Sequence, residues 1–190
     1  MNDLILLNQQ IRQEADEILD AQGLRKILND YGIVHVTGSY SLGLMTWRDL
    51  DIYLESDDLS ETRFFELGKQ INFLLKPKKM SFRNERIAKT KGLPEGLYWG
   101  IYLGNERAGA WKIDIWAVEK NECERLLKYC TDLCAKLTPA ISFEILDIKS
   151  QCWKDPEYRR SYSSSDIYNA VLEKNIKGID DFKEYLKTLK

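Results

Sequence analysis

Only one histidine occurs in the 190 residues, and the four cysteines, Cys123, Cys130, Cys134 and Cys152, form no CxxC pair. Cys130 and Cys134, four apart, would share one side of a helix, but little is left with which to complete a zinc site from cysteine and histidine. The four thiols therefore read as free, buried groups that pack as small hydrophobes. No uninterrupted apolar run approaches the roughly 20 residues that a membrane-spanning helix needs. The opening Met1-Asn2-Asp3-Leu4 has neither the basic region nor the small-residue cleavage site of a secretory signal, so the expected location is cytoplasmic. A basic excess is missing too: Lys plus Arg number 28 against 30 Asp plus Glu, for a net charge of −2 and a pI near 5.6. Such a chain has no overall field with which to hold a long nucleic acid, which is therefore an unlikely partner. Internal repeats and low-complexity segments are also absent.

What is present, 44% hydrophobic and 31% charged residues, suits one packed domain, or a compact domain with a helical appendix. Leu4, Leu7, Ile11, Ala15, Ile18 and Leu19 recur at helical spacing, which predicts helix over 3–30 with a break near Gly23. Strands are predicted at 33–37, from Asp49 to Leu54, and at 80–88, 96–103 and 110–118, the last two joined as a hairpin by 104–109. A helix capped by Asp58, with Glu61 three residues on, should run to about 75. From 119 onward the pattern is helical, over 119–137, 139–152, 164–176 and 179–189, with a charged loop at 154–165. The expected division is 1–120 as one domain, with 121–190 as a helical region packed on it.

The most informative stretch is Val36-Thr37-Gly38-Ser39, followed after nine residues by Asp49-Leu50-Asp51-Ile52. A strand's period of two puts Asp49 and Asp51 on one face and Leu50 and Ile52 in the core. Two like charges side by side are costly unless a cation lies between them, and hard carboxylate ligands suit Mg²⁺ or Mn²⁺. Gly38 and Ser39 would open a tight polar turn offering N–H groups and a hydroxyl to the phosphates such a metal carries. A third acid, Asp114, shares a strand face with Lys112 and Trp116, while Ile113 and Ile115 face the other way.

This spacing resembles the signature of the nucleotidyltransferase superfamily, the group typified by DNA polymerase beta and the aminoglycoside nucleotidyltransferases. The resemblance covers about residues 25–120. It implies an α/β (α+β) nucleotidyltransferase fold, a mixed twisted sheet flanked by helices on one side, the metal site at one end of the sheet and a C-terminal helical extension closing a cleft. It also implies Mg²⁺-dependent transfer of a nucleoside monophosphate from a nucleoside triphosphate to a hydroxyl of a small molecule, such as an aminoglycoside or lincosamide, or of a protein. Asp49, Asp51 and Asp114 would be the catalytic, metal-holding acids, and Gly38, Ser39 and Arg48 the nucleotide-binding residues. The alternative is an antitoxin-like minimal nucleotidyltransferase, or a regulatory nucleotide-binding module acting with a partner protein. One departure stands out: where many small relatives carry a basic residue before the second glycine of the turn and a serine ahead of the first acid, this chain has Leu42 and Arg48.

Other features have plainer readings. Lys76, Lys78, Lys79, Arg83, Arg86 and Lys89, with Phe82 among them, read as a solvated charged face, with contact to phosphate as the alternative. His35, between Val34 and Val36, reads as a satisfied core or edge histidine rather than a ligand. Trp153, Tyr158, Tyr162 and Tyr168 read as helix packing, with an acceptor pocket as the alternative.

Overall fold

The alternating apolar positions of the strand segments all point into one layer in the computed structural model, which describes residues 2–189. The sheet has five strands: β1 (Ile33–Thr37), β2 (Asp49–Glu55), β3 (Lys79–Asn84), β4 (Gly96–Tyr102) and β5 (Lys112–Val118). Their order is β1-β2-β5-β4-β3, with β2 and β5 parallel and every other pair antiparallel. Leu50, Ile52 and Leu54 of β2, Ile113, Ile115 and Ala117 of β5, and Leu97, Trp99 and Ile101 of β4 fill the buried face. The helices α1 (Asn2–Asp16), α2 (Leu24–Asn29) and α4 (Glu61–Leu75) cover that layer with Ile11, Ala15, Leu24, Leu28, Phe64, Leu67 and Ile71.

Several boundaries differ from the sequence expectation for local reasons. The first helix passes through a π turn, Glu17–Ala21, and restarts after Gly23, whose φ of 91° ends the run. Gly38 does not open a simple turn but a single helical turn, α3 (Gly38–Leu42), closed by Gly43. The α4 helix starts at Ser60, not at an Asp58 cap: Asp58 accepts the Ser60 N–H at 2.9 Å, and Glu61 instead accepts from Asn84 at 2.6 Å. The strand expected over 80–88 stops at Asn84, whose side chain accepts the Arg86 N–H and starts the short α5 (Glu85–Ala88).

Helices do not flank the sheet on one side only. The helix α6 (Lys120–Cys134) lies on the opposite face, where Cys123, Leu126 and Leu127 meet Tyr53, Tyr98 and Trp116. The remaining helices, α7 (Pro139–Cys152), α8 (Ser164–Lys174) and α9 (Gly178–Thr188), form a second core around Ile145, Ile148, Tyr158, Ile167 and Phe182. Leu42, Leu44 and Trp47, from the segment between β1 and β2, also belong to that second core. The acid-bearing segment is thus anchored in both cores. Trp153, Tyr158 and Tyr162 pack inside the second one, with Trp153 stacked on Trp47 at 6.2 Å. Among the described residues, no helix is long and apolar enough to cross a membrane.

The junction is held by a buried polar contact: Asn8 of α1 accepts the Met45 N–H at 2.9 Å, and both residues are buried. Asn8→Ala strands that N–H and should lower unfolding free energy by about 1–3 kcal/mol, read by urea denaturation. An unchanged midpoint would show that the segment is positioned without this bond.

Candidate active site

Parallel pairing of β2 with β5 sets Asp51 directly opposite Asp114, and Asp49 opposite Lys112. Neighbouring strands lie roughly 4.8 Å apart, so the three carboxylates and one ammonium occupy a single small area of the solvent-side face. The Lys112 side chain is only 1% exposed; its Nζ lies 3.6 Å from Asp49 Oδ1 and also donates to Asp114. Tyr98 of β4 donates its hydroxyl to the other oxygen of Asp114 at 2.7 Å. Gly100 makes this possible, since a Cβ at that position would collide with the Tyr98 hydroxyl.

Gly38 performs a similar service for Asp51. Its φ is 60°, and a Cβ there would run into the Asp51 carboxylate. Only glycine lets the backbone pass so close in that conformation. Ser39, the next residue, accepts a hydrogen bond at 2.6 Å from Lys149 of α7. Lys149 is fully buried and also donates to the Leu44 carbonyl at 2.7 Å and to the Tyr168 hydroxyl at 3.3 Å. A second unforeseen cation is Arg159, from the loop before α8, whose charge acts on Asp49 and Asp114. Its φ is 69°, an uncommon conformation for a residue with a side chain. Arg107 braces the loop by donating to the carbonyls of Trp153 and Tyr158.

The electrostatics follow from this crowding. Burial, then the like charges of Asp49 and Asp114, push the Asp51 carboxyl up to about 7. Burial also raises Asp49, against the pull of Lys112. For Lys112, burial alone would favour the neutral amine, but Asp49 and Asp114 outweigh it and hold the group above its ordinary value. Asp49 Oδ1 is buried and accepts no hydrogen bond. A free carboxylate oxygen beside two further acids fits a hard divalent cation, so this donor set is chemically suited to Mg²⁺ or Mn²⁺.

Asp49, Asp51, Asp114, Gly38 and Ser39 are therefore brought together, whereas Arg48 is not. It projects from the other side of the chain and forms a two-pronged pair with Glu14 of α1, at 2.5 and 2.7 Å, which holds the Glu14 carboxyl below its usual range. Committed to that carboxylate, Arg48 ties α1 to the start of β2. The cations that do lie beside the acids and the Gly38–Ser39 turn are Lys112, Lys149 and Arg159. Lys149 carried a usable signal, since it falls on the same helical stripe as Ile145 and Cys152; Arg159 carried none. The basic cluster lies on β3, the far edge strand, and on either side of it, with Arg83 pairing with Glu85 at 2.6 Å and Lys79 lying over the Tyr102 ring. Lysines on an edge strand discourage strand addition.

At the level of sequence, no family model and no curated protein matches the chain. Solved structures do. The Cid1 poly(U) polymerase with Mg and 3′-dATP bound superposes with a TM-score of 0.57 at 16% identity, over 85% of this chain and 48% of its own. A cytoplasmic RNA terminal U-transferase gives 0.53 at 16% identity, over 90% and 52%. Terminal uridylyl transferase 4 from Trypanosoma brucei gives 0.52 at 14%, over 90% and 60%. The chain thus has the nucleotidyltransferase fold, and spans about half the length of these structures.

Two outcomes follow from the charge arrangement. Lys112→Met should lower the melting temperature in the absence of divalent metal, and saturating Mg²⁺ should close most of the gap by restoring positive charge among the acids. An equal deficit with and without Mg²⁺ would make Lys112 a packing residue only. The second concerns Asp51, raised from an ordinary value of 3.8 to about 7. The folded state binds this proton more tightly than the unfolded chain, so the group's stabilising contribution is full below about pH 4 and is lost as pH rises to about 7. Without metal, stability relative to Asp51→Asn should fall across that window, while the gain from Mg²⁺ should grow. A pH-independent difference in thermal denaturation would refute the assignment.

Proposed function

We propose that the protein is a nucleotidyltransferase that moves a nucleoside monophosphate from a nucleoside triphosphate to an acceptor hydroxyl, releasing pyrophosphate. The observation that carries this reading is the placement of Asp49, Asp51 and Asp114 on one face of a parallel strand pair, beside a glycine turn whose serine is held by a buried lysine. Asp49 and Asp51 would hold the Mg²⁺ that accompanies the triphosphate, and Asp114 would ligate a second ion or, where only one ion binds, take the acceptor's proton. Bound there, the metal supplies neutralisation of the charge that builds on the phosphates during in-line displacement.

The chain's own groups account for the rest. Ser39 and the Gly38–Ser39 backbone, with Lys149 behind them, suit the terminal phosphates and leave the α-phosphorus facing the acids. Arg159 adds a second positive charge on the same side. The acceptor hydroxyl oxygen attacks the α-phosphorus, the bond to the bridging oxygen breaks, and pyrophosphate leaves. The hydroxyl proton passes to Asp114, once Lys112 has turned from that carboxylate toward the incoming phosphates.

A small-molecule or protein hydroxyl accords with the acidic chain. A second acceptor, the 3′ end of an RNA, is favoured by the structural neighbours, which are named as a poly(U) polymerase and terminal uridylyl transferases. For a single-stranded end, a strongly basic surface is not needed if only the last nucleotides enter the site. An antitoxin-like role would instead show as co-purification with a small helical partner.

The test is incubation with each α-labelled triphosphate, Mg²⁺, and either a short RNA or a panel of aminoglycosides and lincosamides, following label transfer and pyrophosphate. Asp51→Asn should abolish both. Asp114→Asn should leave nucleotide binding nearly unchanged while cutting turnover about 10²-fold or more, the usual contribution of a positioned base. Equal losses in binding and turnover would move Asp114 into the nucleotide's metal shell. Wild-type transfer by Asp51→Asn would reject the site.

A further inference from the structure

The face of β2 that presents Asp49 and Asp51 continues through Tyr53 to Glu55 at the strand's far end, and a second group of ligand-type atoms gathers there. A ring nitrogen of His35 on β1, a carboxylate oxygen of Glu55 and Sγ of Cys123 in the first turn of α6 all lie within 4.8 Å of one another. His35 Nε2 is buried and makes no hydrogen bond, and it faces Glu55 Oε2 at 3.5 Å. Two ligand atoms each about 2.1 Å from a tetrahedral metal stand ~3.4 Å apart, slightly more when one is sulfur. The His35–Glu55 separation already matches that geometry, and Cys123 Sγ lies within 4.8 Å of both partners. Cys123 is fully buried, while His35 and Glu55 keep 27% and 18% of their side chains exposed, so the group sits at the margin of the sheet, and a water molecule would complete a fourth position.

We propose that His35, Glu55 and Cys123 form a second metal site, selective for Zn²⁺ or a similar borderline ion, with water as fourth ligand. A nitrogen, oxygen and sulfur set is too soft for Mg²⁺, which separates this site from the carboxylate trio. Its reach is structural: the three ligands come from the edge strand β1, from β2 and from the helix covering that face, so one ion pins α6 to the sheet edge that leads into Gly38. The Cys123 thiol proton is released to solvent on binding. The sequence expectation that one histidine leaves too little for a zinc site counted only cysteine and histidine, and in this proposal Glu55 would supply the further ligand. The proposal does not depend on the function proposed above.

The test uses the full chain carrying Cys130→Ser and Cys134→Ser, which removes the other α6 thiols, with Mg²⁺ in excess to occupy the acids. Titration with Co²⁺ should reach one equivalent with a thiolate-to-metal charge-transfer band and tetrahedral visible bands, and Zn²⁺ should displace it and raise the melting temperature. Cys123→Ala and His35→Gln should each abolish the charge-transfer band or weaken Co²⁺ binding roughly tenfold or more. Should Cys123→Ala fail to fold, the partly exposed His35→Gln decides the matter. Absence of a band with all three ligands intact would establish an ordinary histidine–glutamate pair over a core thiol. A band that survives His35→Gln with Co²⁺ affinity unchanged would likewise overturn the proposal.

Discussion

The arrangement of the active face depends on a buried ammonium set between carboxylates. Asp49, Asp51 and Asp114 are forced together by strand pairing, and without compensation that cluster would oppose the sheet that creates it. Lys112 sits on the same strand as one acid and opposite another, so the register that assembles the repulsion also delivers its remedy. Its stem and head are enclosed, which makes the charge strong and its removal expensive. Tyr98, in the room that Gly100 leaves, refines the balance by donating to the free oxygen of Asp114, and the charge of Arg159 adds to it from outside the sheet.

Two cores meet at this point. The sheet side is closed by Leu50, Ile52, Ile113 and Ile115, and the helical side takes hold of Leu42, Leu44 and Trp47. Lys149 joins them, because it rises from the helical core and ends on Ser39 and the Leu44 carbonyl. A division of the chain at residue 120 puts the acids in one part and Lys149, which donates to Ser39, in the other. The helices after α6 are thus part of the site's construction and not simply a cover for it.

The strand face carrying Asp49 and Asp51, and the one carrying Asp114, were legible in the sequence because apolar alternation at period two leaves no freedom over which side chains face inward. Lys112 was placed on the right face, but its role was hidden: a lysine beside an acid in a strand usually points to water, and only the pairing of β2 with β5 shows that it cannot. The pairing of Arg48 was hidden for the converse reason, since proximity in sequence to Asp49 says nothing about Glu14, which lies a helix away. The one-sided helical layer failed because α6 was read as belonging to the C-terminal part, whereas Cys123 and Leu127 reach back to Tyr53 and Trp116. Asn84, a local capping residue that ends β3, was a short-range signal overlooked within an apolar-polar alternation.

Because β2 and β5 run parallel, their pairing cannot be made by a tight turn; the whole of α4, β3 and β4 must lie between them. During synthesis the chain therefore carries Asp49 and Asp51 long before Lys112 and Asp114 emerge together on β5. The repulsive cluster and its counter-charge enter the structure in the same late event, so the nascent chain never holds three acids without their cation. Such long-range closure makes for slow folding, and it means that a chain stopped before β5 would hold neither the third acid nor the lysine that makes the other two tolerable.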